Sequence, residues 1–329
     1  MRNRNASASL FGWDFQVNVA IVLVLENIKN VESVRVEGKD EDIEITLENQ
    51  RKIYAQAKSV VKPDDYTNVK AKLKSALETL NQAARNGDAS LFTYATNSSN
   101  PFHIAETIPF FTGRTHLNFD ELPDLAKAEI KRIVADQGYT DIDLSKFDIR
   151  VVPFYGDDPK NRYKVIQTYV NEFLGDMRIY LPKIEQNIIQ VWQRDLFHNA
   201  TTMDTAITVN KKELIWPLIV LLVDEVSAMD YKRDFDDDEV ADIESKYRLV
   251  INQHTLSYDI VSRVLTDYSS IKPSIRTKEF VDQRWVDYLD IMQGVDTDDQ
   301  TKESLIKIII YRILSQRQCI NDIKRGTNV

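Results

Sequence analysis

Residues 36–58 read VEGKDEDIEITLENQRKIYAQAK. Ile43, Ile45 and Leu47 alternate with polar residues, and so do Ile53, Ala55 and Ala57, the period-two pattern of two strands with one apolar side each. Asp42, Glu44, Gln56 and Lys58 then belong to the opposite side. Gln56 and Lys58 stand two residues apart, so they share a face at a separation of about 6.6 Å. Asp42 joins them only if it pairs opposite residue 56 or 58, because opposed residues of an antiparallel pair point the same way. Pairing with 56 centres the turn on Asn49, and pairing with 58 centres it on Gln50. Either register requires a loop of odd length, such as Glu48-Asn49-Gln50. A two-residue turn at Asn49-Gln50 sends Asp42 to the wrong face unless a bulge restores it.

Acidic and amide groups gathered with one lysine inside a sheet are costly without a metal or a substrate. The alternative is a solvent-facing hairpin whose polar face is merely wet. An acidic residue before one strand, a turn, and a second strand ending in Gln-Ala-Lys is the pattern that a magnesium-dependent nuclease of the PD-(D/E)XK kind needs. In that chemistry Asp42 binds the metal, Gln56 and the Ala57 backbone carbonyl complete the protein ligands, and Lys58 orients and polarises water.

Working outward, residues 12–30 predict a buried helix, although the Val-rich middle also suits a strand. Short extended stretches follow at 34–37, 42–47 and 52–58. Pro63-Asp64-Asp65 predicts the start of an amphipathic helix with Val69, Leu73, Leu77 and Leu80 on one face. Strands are expected at 90–96 and 147–154, and helices at 121–135 and 161–178. Strands interleaved with helices make an α/β domain of residues 1–200. Residues 201–329 carry almost only helical periodicity, with helices from about 183–200 onward at 211–229, 239–268, 278–293 and 300–323. They predict an all-α domain for assembly or partner binding. The isoleucines of the last helix, Ile306, Ile308, Ile309, Ile310 and Ile313, cover more than one face, as in the centre of a bundle or a helix docked on another chain.

Composition narrows the classes. The 329 residues carry 42 basic and 51 acidic groups, a net charge of −9. Up to residue 195 there are 25 basic and 28 acidic groups, and after it 17 and 23. Such a chain does not coat nucleic acid through bulk charge, which leaves a local basic groove as the route to it. Cys319 is the single thiol, so neither an internal disulfide nor a cysteine metal cage is available. The apolar runs 19–25 and 215–223 are shorter than the roughly 20 residues of a membrane span, and Arg2, Arg4, Asp14 and Gln16 make a poor signal peptide. The expectation is a cytoplasmic protein with no membrane segment.

Four segments in order carry a family resemblance: Phe11-Gly12-Trp13-Asp14-Phe15-Gln16; Glu37-Gly38 with Glu41-Asp42-Ile43-Glu44-Ile45; Tyr54-Ala55-Gln56-Ala57-Lys58; and Phe92-Thr93-Tyr94-Ala95-Thr96-Asn97. Together they resemble the double-stranded-DNA endonuclease domain of bacterial CBASS and Lamassu antiphage effectors, in the Mrr-like branch of the restriction-endonuclease superfamily. The likeness spans roughly residues 8–200. It implies a restriction-endonuclease-like mixed sheet flanked by helices, Asp42 and Lys58 as catalytic pair, Gln56 in the acidic slot, and Gln16 facing the metals. Glu41 stands where many relatives have a second Asp. The implied activity is hydrolysis of DNA by in-line attack of water, with Asp42 holding Mg²⁺ (or Mn²⁺) and Lys58 stabilising developing charge. One such site cuts one strand, so double-strand cleavage implies a homo-oligomer, a dimer or tetramer. The Lamassu arrangement pairs the nuclease with an SMC-like sensor ATPase, whereas CBASS relatives carry a nucleotide-sensing domain; a helical tail this short and poor in strands tilts the expectation towards the stand-alone Lamassu-type subunit of an antiphage or anti-plasmid complex. The alternative is a catalytically silent scaffold that binds DNA or a partner.

Other candidates have two readings each. Glu37 is a second metal carboxylate or the end of a strand before the Gly38 turn. Glu44 is a ligand or a hydrogen-bonding support. Lys70, Lys72 and Lys74 grip DNA phosphates or form a solvated helix face. Asp236, Asp237 and Asp238 lack an EF-hand's glycine and final Glu and read as a linker. His103, His116, His198 and His254 fit no zinc spacing.

Overall fold

The computed structural model describes residues 7–156, 158–232, 235–251, 254–271 and 275–329. Arg2 and Arg4 and residues 252–253 of the expected 239–268 helix lie outside them. In chain order the elements are α1 (Ser7–Asn27), β1 (Val31–Val36), β2 (Ile43–Leu47), β3 (Lys52–Lys58), α2 (Val69–Ala83), β4 (Ala89–Thr96), α3 (Ile108–Phe111), β5 (Thr115–Asn118), α4 (Asp124–Gln137), β6 (Phe147–Val151), α5 (Pro159–Arg162), α6 (Lys164–Asp176) and α7 (Ile184–Thr201). They continue with β7 (Val209–Asn210), α8 (Lys211–Asp224), α9 (Asp237–Ile251), α10 (His254–Ile271), α11 (Thr277–Arg284), α12 (Asp299–Ser315) and α13 (Arg317–Thr327).

The chain divides into two compact units, Met1–Phe173 with Ile189–Lys211, and Leu174–Ile188 with Lys212–Val329. The single boundary expected near residue 200 is therefore replaced by one at Lys211, and the second unit also takes a segment from upstream.

The first unit is a mixed α/β domain. Its seven strands lie in the order β5-β6-β4-β3-β2-β1-β7. β1, β2 and β3 form an antiparallel meander, while β3, β4 and β6 are parallel. On one face, Tyr54, Phe92, Tyr94, Phe147, Ile149 and Val151 pack with Leu73, Leu77 and Leu80 of α2 and with Ile130 of α4. α1 packs over β1, β2 and β3, where Ile43, Ile45 and Ala55 are fully buried. α1 is long and apolar enough to cross a membrane by length and composition, yet 67% of its apolar window is buried within the protein. Packing against the sheet accounts for its apolar run without a bilayer.

Several elements differ from their sequence expectation. The helix expected from residue 63 begins at Val69, after the turns that Pro63, Asp64 and Asp65 introduce. β5 and β7 are additional strands: β5 pairs with β6, and two-residue β7 pairs with β1 at Ser33 and Val34. The expected 161–178 helix is two helices, α5 and α6.

Fully buried Asp148 on β6 accepts from His116 Nε2 at 2.8 Å and from Arg150 Nε at 3.4 Å. Arg150 pairs with Glu26 of α1, whose carboxyl burial pushes above its ordinary range. This network fastens β6 to β5 and to α1. In the second unit α12 is central, as its all-round isoleucines require, and packs with α9, α10, α11 and α13. Its Arg312 is 6% exposed, donates to the Val226 carbonyl at 3.0 Å and lies over the Tyr247 ring at 4.4 Å.

The exit of β3 is held by Asn97, just beyond β4. Its side chain accepts from Val60 N at 2.6 Å and donates to the carbonyls of Val60 and Phe154 at 2.8 Å each. Asn97 is fully buried. Asn97→Ala strands a buried donor and two acceptors, so urea unfolding should show a loss of about 1–3 kcal/mol or more. A change below about 0.5 kcal/mol would show that the side chain does not hold this junction.

Candidate functional site

The β2–β3 register decides the site. Ile43 opposes Ala55, Glu44 opposes Tyr54, Ile45 opposes Ile53 and Thr46 opposes Lys52. This register centres the turn on Asn49 and ends at the Ile43–Ala55 pair, just short of Asp42 and Gln56. The loop is the three residues Glu48, Asn49 and Gln50, closed by Leu47 N donating to the Arg51 carbonyl at 2.8 Å, with Gln50 at φ 64°. A three-residue loop ending in a left-handed residue is a standard hairpin closure. The odd length required above is present.

The same register points the main chain of alternate β3 residues toward β2. Arg51, Ile53 and Ala55 face that way, and Ala57 is next. At Ala57 the partner strand has ended, since the chain turns back through residues 37–42. Asp42 fills the gap: its Oδ2 accepts the Ala57 N–H at 3.1 Å and lies 3.4 Å from Lys58 Nζ. The Ala57 carbonyl projects from the same side of the strand as its N–H. Asp42 and Lys58 thus meet at the end of β3 beside Ala57, with the Lys58 side chain 29% exposed and that of Asp42 18%.

Glu41, which the sequence marks only as standing where many relatives have a second Asp, lies at the centre of the buried contacts here. Its Oε2 accepts from Gln56 Nε2 at 2.7 Å and from Thr79 Oγ1 of α2 at 3.3 Å, while its Oε1 is buried with no hydrogen-bond partner. Glu41 is 4% exposed and Gln56 3%, so α2 keeps this end of the sheet dry and the hairpin is not merely wet. Burial pushes the Glu41 carboxyl up to about 8, against the lowering effect of its bonds to Gln56 and Thr79. The available signal was its adjacency to Asp42; what sequence alone lacks is the burial.

Other candidates go elsewhere. Glu44 accepts from Lys52 Nζ at 3.0 Å and from Asp40 N at 2.8 Å, so it braces the turn and is not directed to Asp42. Gly38 makes that bracing feasible, because a Cβ there would lie 2.3 Å from Glu44 Oε1. Glu37 ends β1 with φ 53°, and its N–H donates to the Asp42 carbonyl at 2.8 Å. It serves the turn, as the strand-end reading expects. Gln16 is buried in α1, with no hydrogen bond to Asp42, Gln56 or Lys58 among the described residues.

The three lysines of α2 separate. Lys70 lies 3.5 Å from Glu129, and Lys74 is exposed. Lys72 donates to the Ser59 carbonyl, and burial lowers its ammonium below the ordinary lysine value. They do not form one phosphate-gripping row.

Among the described residues no group of three or more His, Cys, Asp or Glu side chains is arranged to hold a metal ion. The donor set at the end of β3 is mixed instead: the Asp42 carboxylate, the Ala57 carbonyl, the Gln56 amide and the unpartnered Glu41 oxygen. Hard oxygen donors of this kind, one of them a buried carboxylate oxygen lacking a donor, fit a divalent cation such as Mg²⁺.

The Glu41 shift makes stability depend on pH. Its folded-state value lies above the ordinary 4.5, so its stabilising contribution is full below about 4.5 and is lost as pH rises through about 8. In cation-free buffer, Glu41→Gln should therefore melt above the native chain by a margin that widens across this window, measured by calorimetry at a series of pH values. Identical pH dependence of the two would contradict the burial argument. Compared with family models, with curated proteins and with solved structures, the chain matches none.

Proposed function

We propose that the chain is a metal-dependent endonuclease acting on double-stranded DNA through the end of β3. The observation that carries this reading is the meeting of Asp42 with the Ala57 N–H and Lys58 Nζ at the end of β3, beside a hairpin loop of odd length. A carboxylate and a carbonyl beside a lysine, on a rim that is partly open next to a dry interior, suit phosphodiester hydrolysis. Asp42 and the Ala57 carbonyl would hold Mg²⁺ or Mn²⁺, with Gln56 beside them. When bound, the cation neutralises phosphate charge and lowers the pKa of water.

The chain's own groups perform the remaining work. Lys58 Nζ, held by Asp42, donates to the phosphate oxygens and stabilises the charge that grows as water adds to phosphorus and the P–O bond to the leaving sugar oxygen breaks. The dry surroundings set by α2 strengthen these interactions. Lys58 offers one cation to the DNA backbone at this site, on a chain of net charge −9. Duplex binding by one protomer is accordingly weak and salt-sensitive, and assembly of two or more protomers, or docking on a sensor of the SMC-like kind, supplies the missing groove. The resemblance to Lamassu and CBASS effectors, a cytoplasmic setting and a restriction-endonuclease-like core belong to the same proposal.

Incubating the full chain with supercoiled plasmid and Mg²⁺ should yield nicked and linear DNA. Lys58→Ala and Asp42→Asn should each lower the rate by at least about 10²-fold with unchanged circular dichroism. Intact plasmid at every protein concentration and with either metal would favour the silent scaffold, and cleavage undiminished by Lys58→Ala would move the site elsewhere.

A further inference from the structure

On the strength of the cation site proposed above, we infer that Glu41 is its second carboxylate, and that Gln56 is a positioning residue that holds Glu41 in place. Asp42 at Ala57 and Lys58 is one carboxylate at the end of β3, and Gln56 beside it carries an amide with no charge of its own. Glu41 supplies a second carboxylate from the neighbouring turn. Consecutive residues on a regular strand point to opposite faces, but here the turn fixed by Gly38 N donating to the Glu41 carbonyl at 2.9 Å brings both 41 and 42 to β3. Glu41 reaches Gln56, and Asp42 reaches Ala57 and Lys58.

The state of the Glu41 carboxylate is what singles it out. One oxygen is held by Gln56 and Thr79, and the other is buried with no partner. A buried carboxylate oxygen without a donor is unfavourable unless a cation or a proton completes it. Of the other nearby carboxylates, Glu44 is engaged by Lys52 and by Asp40 N, and Asp40 by Asn86 Nδ2 at 2.9 Å, while Glu37 is only partly buried and so can reach water. Gln56, with its Nε2 committed to Glu41, fixes the carboxylate's orientation as an outer partner fixes a metal ligand. The site would take a hard divalent cation on two carboxylates and a backbone carbonyl.

Mn²⁺ titration of the full chain, followed by water-proton relaxation in the absence of DNA, tests this without reference to cleavage. The native chain should bind Mn²⁺. Glu41→Gln and Asp42→Asn should each weaken that binding by at least about tenfold and Gln56→Leu by about 10-fold or more, while Glu44→Gln should change it less than about twofold. Exchanging the pair, Glu41→Gln with Gln56→Glu, keeps the hydrogen bond and the charge and should recover most of the affinity. Native-like affinity in a folded Glu41→Gln chain, with binding lost in Asp42→Asn, would overturn the Glu41 assignment and leave the cation site standing. Failure of the exchanged pair to recover affinity would also overturn it. Absence of Mn²⁺ binding by the native chain would instead remove the cation site itself.

Discussion

Parity governs the end of β3. Side chains alternate along a strand and opposed residues share a face, so the number of residues in one hairpin loop decides whether Asp42 meets Ala57 and Lys58 or points away. The three residues Glu48, Asn49 and Gln50 set the sum of paired positions, and Gln50 adopts the left-handed conformation that closes such a loop. Everything downstream inherits that register: the apolar side of β2 and β3 under α1, the aromatic side under α2, and the unpaired Ala57 N–H that Asp42 accepts. One hydrogen bond at 3.1 Å marks where the ladder stops and the polar site begins.

Much of this was legible because strong periodicity and local chemistry agree. Alternation in 42–47 and Lys52–Lys58 specified the hairpin, and the stripe Val69, Leu73, Leu77 and Leu80 specified the buried side of α2. The requirement for an odd loop follows from strand geometry alone. What was illegible depends on tertiary partners. β5, with sequence THLN, and the two residues of β7 carry no strand signal of their own and exist because β6 and β1 offer free edges. Lys72 has the spacing of a surface lysine, yet turns inward to the Ser59 carbonyl. Glu41 and Glu44 are three residues apart with the same side chain, and only their neighbours distinguish a brace from a strained carboxylate.

The site carries an internal tension. α2 excludes water from Gln56 and Glu41, which strengthens every charge interaction there and also raises the cost of keeping Glu41 ionised. The bonds from Gln56 and Thr79 offset only part of that cost. A fold that seals such a group keeps a local instability beside its most polar residues, a pattern common where a pocket is shaped for something besides its own chain. The Asp148 cluster shares the feature of one buried oxygen without a partner, Oδ1, but differs in that His116 and Arg150 stand at its other oxygen.

β1 is bordered on its outer side by a segment from far along the chain. Arg35 donates to the Ile207 and Thr202 carbonyls, Asn199 accepts from Val36 N, and β7 adds its two residues beside Ser33 and Val34. During synthesis the meander β1–β3 is complete by residue 58, but its outer edge stays uncovered until residue 210 has emerged, after the chain has detoured through residues 174–188 of the other unit. For that interval a strand with open N–H and C=O groups is available to the wrong partner, another copy of the chain among them. The two residues of β7 act as a late latch, so the yield of native protein depends on how soon that latch closes, not only on the stability of the finished sheet.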